Sequence, residues 1–115
     1  MVQNLKNRMG INDIELILKE VKKRLHKIYG KRLKSIILYG SYARGDATED
    51  SDIDLILLLK NMKNPYDEII TSSKALGNLE LIHDTLISIL PLEEKEFNSK
   101  SLPIILNAKK EGIRI

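Results

Sequence analysis

The sequence has no cysteine. Disulfide scaffolds, zinc–thiolate sites, iron–sulfur clusters and cysteine nucleophiles are thereby excluded. Long apolar runs are missing as well. The longest, Leu55-Ile56-Leu57-Leu58-Leu59, falls far short of the roughly 20 residues that a membrane helix needs, so no membrane association is expected. The start of the chain, Met1-Val2-Gln3-Asn4-Leu5-Lys6, has no apolar stretch behind a basic cluster. No secretory signal is expected there, and the expected location is the cytoplasm. An excess of one charge is lacking too: 19 basic and 16 acidic residues are mixed along the chain, for a net charge of +3. A dedicated nucleic-acid binder gathers its charge on one face, so this balance argues against direct nucleic-acid binding. The densest basic stretch, Lys19 to Lys34, reads as a solvated helix face and the loop after it. His26 and His83 show no metal-ligand spacing, and the chain has no internal repeats or low-complexity linkers.

What is present reads as one globular domain. The chain has 115 residues, 43% hydrophobic and 30% charged, the balance of folded chains. The expected domain spans 1–115, with residues 1–10 as a loose lead-in. From Ile11 the spacing is helical. Ile14, Ile17, Leu18, Val21, Leu25 and Ile28 recur at three- and four-residue steps and form one apolar stripe. Asn12 with Glu15 matches a capping box, and Gly30 suits a left-handed helix end. Ser35–Tyr39 and Asp52–Leu59 read as strands. The second is polar at its start and apolar on both faces beyond, which predicts a central strand. Asn64-Pro65 opens a second helix, with Ile69, Ile70, Ser73 and Leu76 inward, weakened at Gly77 by about 1 kcal/mol relative to alanine. Asp84–Leu90 reads as a third strand stopped by Pro91. The remainder predicts a helical turn over Glu93–Phe97 and a last helix capped by Ser101, with Pro103 in its first turn and Gly112 at its end. A final edge strand follows over Ile113–Ile115. The order predicts an α+β domain, a small mixed sheet flanked by helices.

The chemistry gathers between Gly40 and Asp54. A Walker A loop is ruled out, because Asp46 and Ala47 stand where Lys and Ser/Thr are required. The dinucleotide fingerprint fails as well, since Tyr42 occupies its second glycine position. A strand ending at Tyr39, a sharp turn at Gly40 and a helical start at Ser41 leave another phosphate device: backbone N–H groups around an anion-binding concavity. Asp52 and Asp54 are two apart on a strand. Alternation puts both carboxylates on one face, about 6.5–7 Å apart. Two acids at the edge of so apolar a strand call for a compensating cation, and oxygen ligands suit Mg²⁺. Asp84, at the start of the third predicted strand, is the candidate third carboxylate; Glu80 is its competitor.

Together, Gly40-Ser41-Tyr42-Ala43-Arg44-Gly45 and Ser51-Asp52-Ile53-Asp54-Leu55 resemble the G-S-x-A-R-G and S-D-x-D-L signature of the polymerase-beta-like nucleotidyltransferases. Within that superfamily they are most similar to the minimal nucleotidyltransferases (MNT) of prokaryotes. The resemblance covers about residues 33–112, with no departure at a motif position. It implies the polymerase-beta-like fold. It implies that Gly40 and Ser41 hold the β- and γ-phosphates of ATP, and that Arg44 either stabilises the triphosphate or pairs with Asp46, Glu49 or Asp50. It further implies that Asp52 and Asp54 bind two Mg²⁺ ions and that Asp84 joins them at the catalytic metal. Tyr39 reads as core, while Tyr42 could stack on a base or meet a partner. Larger members of the superfamily add domains that grip the acceptor, and 115 residues leave no room for one. The expected acceptor therefore comes from another chain, or the protein self-associates. MNT proteins of this kind pair with a HEPN ribonuclease-type toxin as its antitoxin and transfer AMP from ATP to a toxin tyrosine, which is the function the resemblance implies. The alternatives are a small-molecule nucleotidyltransferase of the aminoglycoside-modifying kind and a non-catalytic module that binds nucleotide or toxin. An RNA nucleotidyltransferase is disfavoured by the modest charge.

Overall fold

The computed structural model describes residues 8–99 and 102–115. The first seven positions of the expected lead-in and the expected cap Ser101 lie outside the described residues. The lead-in is not loose throughout: Met9 pairs with Ala47 in an antiparallel bridge, through N–H···O bonds of 2.7 and 3.1 Å. A 3₁₀ turn over Ile11–Ile14 then runs into α1, Glu15–Tyr29. The cap is set earlier than the Asn12/Glu15 pattern suggests. The Gly10 N–H donates to Asp13 Oδ2 at 2.8 Å, and the Asp13 N–H returns to the Gly10 carbonyl at 3.0 Å.

The stripe of α1 buries Ile14, Leu18, Val21 and Leu25. It ends on Tyr29, 5% exposed, rather than on Ile28, 42% exposed, because the 3.6-residue period carries Leu25 four positions on. The Tyr29 hydroxyl donates to the Glu68 carbonyl at 3.1 Å, and the Arg32 guanidinium lies 5.5 Å from the ring centroid while pairing with the Glu68 carboxylate. Burial, and then the charge of Glu68, push the Tyr29 phenol up to about 12. Tyr29→Phe is expected to cost about 1 kcal/mol in denaturant melts, the worth of one buried hydrogen bond. It also removes the phenol that ionises at about 12 in a spectrophotometric titration.

After Gly30, where φ is +54°, a short 3₁₀ turn leads into β1, Leu33–Tyr39. The sheet is completed by β2 (Ile53–Leu59), β3 (Ile87–Glu93) and β4 (Ile113–Arg114) in the order β3-β2-β1-β4. β2 is parallel to β3 and antiparallel to β1, and β4 is antiparallel to β1. The expectation of a mixed sheet with a central, doubly covered β2 holds. Ile53, Leu55, Leu57 and Leu59 pack with α1 and with Leu76 and Leu79 on one face. Ile56 and Leu58 pack with Phe97, Ile105 and Ala108 on the other. The helices there are α5 (Glu94–Ser99) and α6 (Pro103–Glu111); between β1 and β2 lies the single turn α2 (Ser41–Arg44). Among the described residues no helix is long and apolar enough to cross a membrane.

Two elements differ from their sequence patterns. The second long helix splits at Gly77 into α3 (Pro65–Leu76) and α4 (Leu79–His83). Its start is as expected, with Asn64 Oδ1 accepting from the Tyr66 N–H at 2.9 Å. Leu76 is buried as expected, but Glu68 and Ser72 are buried in place of Ile69 and Ser73, and Ile70 is 54% exposed. The Arg32–Glu68 pair turns Glu68 inward and rotates the isoleucines out. The third strand begins at Ile87, not Asp84, because Asp84 closes α4 in a left-handed conformation with φ +49°. It runs through Pro91 to Glu93. Proline is tolerated because β3 is an edge strand with β2 as its one neighbour.

Candidate active site

The site is assembled where β1 ends and β2 begins. Tyr39 pairs in register with Asp54, so the turn that follows Tyr39 lies beside the Asp54 carboxylate. Gly40 makes that turn with φ +77° and ψ −155°. A Cβ at Gly40 would stand 2.5 Å from Asp54 Oδ2. Ser41 then starts α2, which Gly45 closes in the left-handed region with φ +83°. The N–H groups of Ser41 and Tyr42 meet no backbone acceptor among the described residues, the usual condition of a helix start. Ser51 shapes the entry to β2: its Oγ accepts from the Thr48 N–H at 2.9 Å and its N–H donates to the Thr48 carbonyl at 3.0 Å.

Asp52 is exposed just ahead of β2 and Asp54 is half-buried within it. Burial and then the negative charge of Asp52 raise the Asp54 carboxyl above the usual range, and Arg44 opposes them. No ion pair among the described residues includes either carboxylate. Two hard oxygen groups repel one another here without a protein cation to pair with, the donor set that a divalent ion suits. Tyr39, half-buried on the same face, has its phenol raised by burial and then by Asp54.

Residues 18–115 match the nucleotidyltransferase-domain family model, a span that holds every residue of this site. The chain belongs to the nucleotidyltransferase-domain family. It is 42% identical over 72 residues to a Methanocaldococcus jannaschii chain that carries the name protein adenylyltransferase, covering 63% of this chain and 72% of that one. A second chain of the same name and organism is 39% identical over 94 residues, covering 77% of this chain but 62% of its own length. The fold is shared with a toxin–antitoxin crystal structure containing AMP-PNP, with a TM-score of 0.58, 18% identity and coverage of 84% of this chain and 69% of that one. It is shared also with a chain of the complex between the tri-AMPylated Shewanella oneidensis HEPN toxin and its MNT antitoxin, with a TM-score of 0.53, 18% identity and the same two coverages of 84% and 69%.

Within this nucleotidyltransferase domain, Arg44 forms one of the ion pairs expected for it, and two other residues, Tyr42 and Asp84, stand otherwise than the sequence suggests. Arg44 is exposed and divided between Asp46 Oδ2, at 3.2 Å, and Glu111 Oε1 of α6, at 3.1 Å. Glu49 and Asp50 do not pair with it. Tyr42 is 3% exposed, with its hydroxyl donating to the Thr48 carbonyl at 3.4 Å; it is a core residue and cannot stack on a base. Asp84 is not a strand residue. It caps α4 and lines, with Glu49, Asp50, Asp52 and Glu80, an open hollow of about 440 Å³. Among the described residues no group of three acidic, histidine or cysteine side chains is placed to hold one metal ion. Glu80, the competitor for the third place, has another task. Its Oε2 accepts from the Ile87 N–H at 2.8 Å, which fixes the start of β3, while the Ile53 N–H reaches the Leu86 carbonyl at 2.8 Å.

Proposed function

We propose that this nucleotidyltransferase-domain chain is an antitoxin that transfers AMP from ATP to a tyrosine of a HEPN-type partner protein in the presence of Mg²⁺. The observation that carries the reading is the contact between two motifs. The Gly40–Ser41 turn lies against Asp54, so a phosphate held at the turn is within reach of whatever the two carboxylates hold. The names of the M. jannaschii relatives and the two toxin–antitoxin structures support the choice of AMP and of a protein acceptor.

Asp52 and Asp54 would hold the metal. Two protein carboxylates are enough for Mg²⁺, which takes its other ligands from nucleotide phosphates and water rather than from an all-protein cage. Bound there, the ion supplies polarisation of the α-phosphate and neutralises the leaving pyrophosphate. At the Gly40–Ser41 turn the terminal phosphates would meet the N–H groups of Ser41 and Tyr42, which have no backbone acceptor among the described residues. Arg44 contributes its field at Asp54 rather than a dedicated phosphate contact. The acceptor oxygen bonds to the α-phosphorus as the bond to the β-phosphate oxygen breaks; pyrophosphate leaves and the hydroxyl proton passes to water. A second protein as acceptor is supported by the name protein adenylyltransferase that the relatives carry.

Incubation with ATP labelled at the α-phosphate, Mg²⁺ and the HEPN-type partner is expected to label a partner tyrosine. Label on an aminoglycoside and none on the partner would replace this reading by small-molecule transfer. Neutralisation of the partner with no label anywhere would replace it by a binding module.

A further inference from the structure

We propose that Ser88 is the acceptor-side residue of this site, a hydroxyl standing beside Asp54 that orients the attacking oxygen. The inference rests on the nucleotidyl-transfer reading above and specifies the flank from which the acceptor enters. β2 and β3 are parallel, and Ser88 is the register partner of Asp54. Register partners in a sheet point to the same face, about 4.8 Å apart. The core shows which face this is: Leu90 and Leu92, partners of Ile56 and Leu58, pack with them against Phe97 and Ile105. Ser88 and Asp54 belong to that same alternation, and so does Tyr39 on the other side of Asp54. One row therefore crosses the sheet, Tyr39–Asp54–Ser88, with the phosphate turn at its β1 end.

In-line displacement needs the entering and leaving oxygens on opposite sides of the phosphorus. The leaving pyrophosphate is assigned to Gly40 and Ser41, on the β1 flank. The entering hydroxyl then comes from the β3 flank, where Ser88 is exposed and no hydrogen bond occupies its side chain among the described residues. Asp84 does not take this position, because it lies ahead of β3 and caps α4. The strand position adjacent to Asp54 thus offers a neutral hydroxyl in place of a third carboxylate.

Titration of the full chain with Mn²⁺ alone, followed by the resonance of the free ion, tests the placement. Ser88→Asp adds a carboxylate next to Asp54 and is expected to tighten Mn²⁺ binding at least about tenfold, since ligand charge sets the affinity of such sites. Ser88→Asn, of the same size and without the charge, is expected to give no gain. Equal affinity of Ser88→Asp and the parent, or an equal gain in Ser88→Asn, overturns the proposal. With labelled ATP and the HEPN-type partner as acceptor, Ser88→Ala is expected to raise the KM of the acceptor several-fold without a matching change in the KM of ATP, and Ser88→Thr to restore it. A change in the KM of ATP instead would place Ser88 on the nucleotide side and sink the idea. The Mn²⁺ titration uses neither ATP nor an acceptor: absence of any transfer overturns the antitoxin reading and the acceptor role of Ser88 with it, whereas transfer without the Mn²⁺ gain in Ser88→Asp overturns the placement of Ser88 alone.

Discussion

Asp54→Asn is expected to lower nucleotidyl transfer by about 10³-fold, the equivalent of several kcal/mol of lost charge stabilisation, while leaving the metal-free fold at least as stable at neutral pH. The second half of that expectation follows from the sign of the carboxyl's shift. Burial and the charge of Asp52 hold the Asp54 carboxyl above its ordinary value, so the folded chain keeps this proton more tightly than the unfolded one. The contribution to stability is full in acid and is lost as pH rises from the ordinary carboxylate range through the raised value. At neutral pH the ionised group costs the metal-free fold stability, and asparagine removes that cost. Denaturant melts should therefore show the variant gaining on the parent as pH rises through this window, with the difference closing when Mg²⁺ is added. Retained transfer in the variant would end the assignment of Asp54 as a metal ligand. A variant less stable than the parent at neutral pH would mean that the carboxylate has a favourable protein partner.

Gly40→Ala carries the second large effect, and it acts on fold and site together. The backbone at Gly40, φ +77° and ψ −155°, is in a region essentially confined to glycine, where a side chain costs on the order of 1–3 kcal/mol. The added Cβ also meets Asp54 Oδ2 at 2.5 Å and Asp54 Cγ at 3.4 Å. Relief requires either the turn or the carboxylate to move, and both belong to the site. The expected result is a loss of about 2–3 kcal/mol in melts together with the loss of ATP binding in a calorimetric titration. Gly45→Ala separates the two contributions. Its φ is +83°, but a Cβ there meets nothing within 4 Å, so it should cost about 1–2 kcal/mol of stability and much less nucleotide affinity. Equal losses of affinity in the two variants would mean that backbone strain, and not the approach to Asp54, sets the binding.

The features readable in the sequence were those encoded by neighbours along the chain. The alternation of Ile53–Leu59, apolar on both faces, is a local pattern, and β2 is indeed covered on both sides. Gly40 announces a turn, and the spacing of Asp52 and Asp54 announces two acids at the entry to β2, although the strand starts only at Ile53 and Asp52 lies ahead of it. The features missed depend on partners far away. Arg44 reaches Glu111, 67 positions on, and nothing near Arg44 signals it. The inward face of α3 is set by the bond from Arg32 to Glu68 across 36 positions, against the local attraction of Ile69 and Ile70 to a core. The start of β3 is decided by Glu80 holding the Ile87 N–H, so Asp84, the natural first residue of an apolar run, was drawn into a strand that it only precedes. Ser88 was unremarkable as a residue type; only the register gives it a place.

The outer border of β3 has a further consequence, for how this sheet meets other chains. In a strand, alternate residues turn their N–H groups to opposite sides. The Leu86 carbonyl bonds inward to Ile53, so Ile87, Ile89, Pro91 and Glu93 present outward. The Ile87 N–H is taken by Glu80 and the Glu93 N–H by Glu96 Oε1 at 3.3 Å, and Pro91 has none. Among the described residues, Ile89 is the one position on this edge with an outward donor left over. The flank is thereby poor in donors for strand addition, the route by which exposed edges template aggregation and fibre growth. The reactive face of this chain thus stands next to an edge whose donors are largely taken.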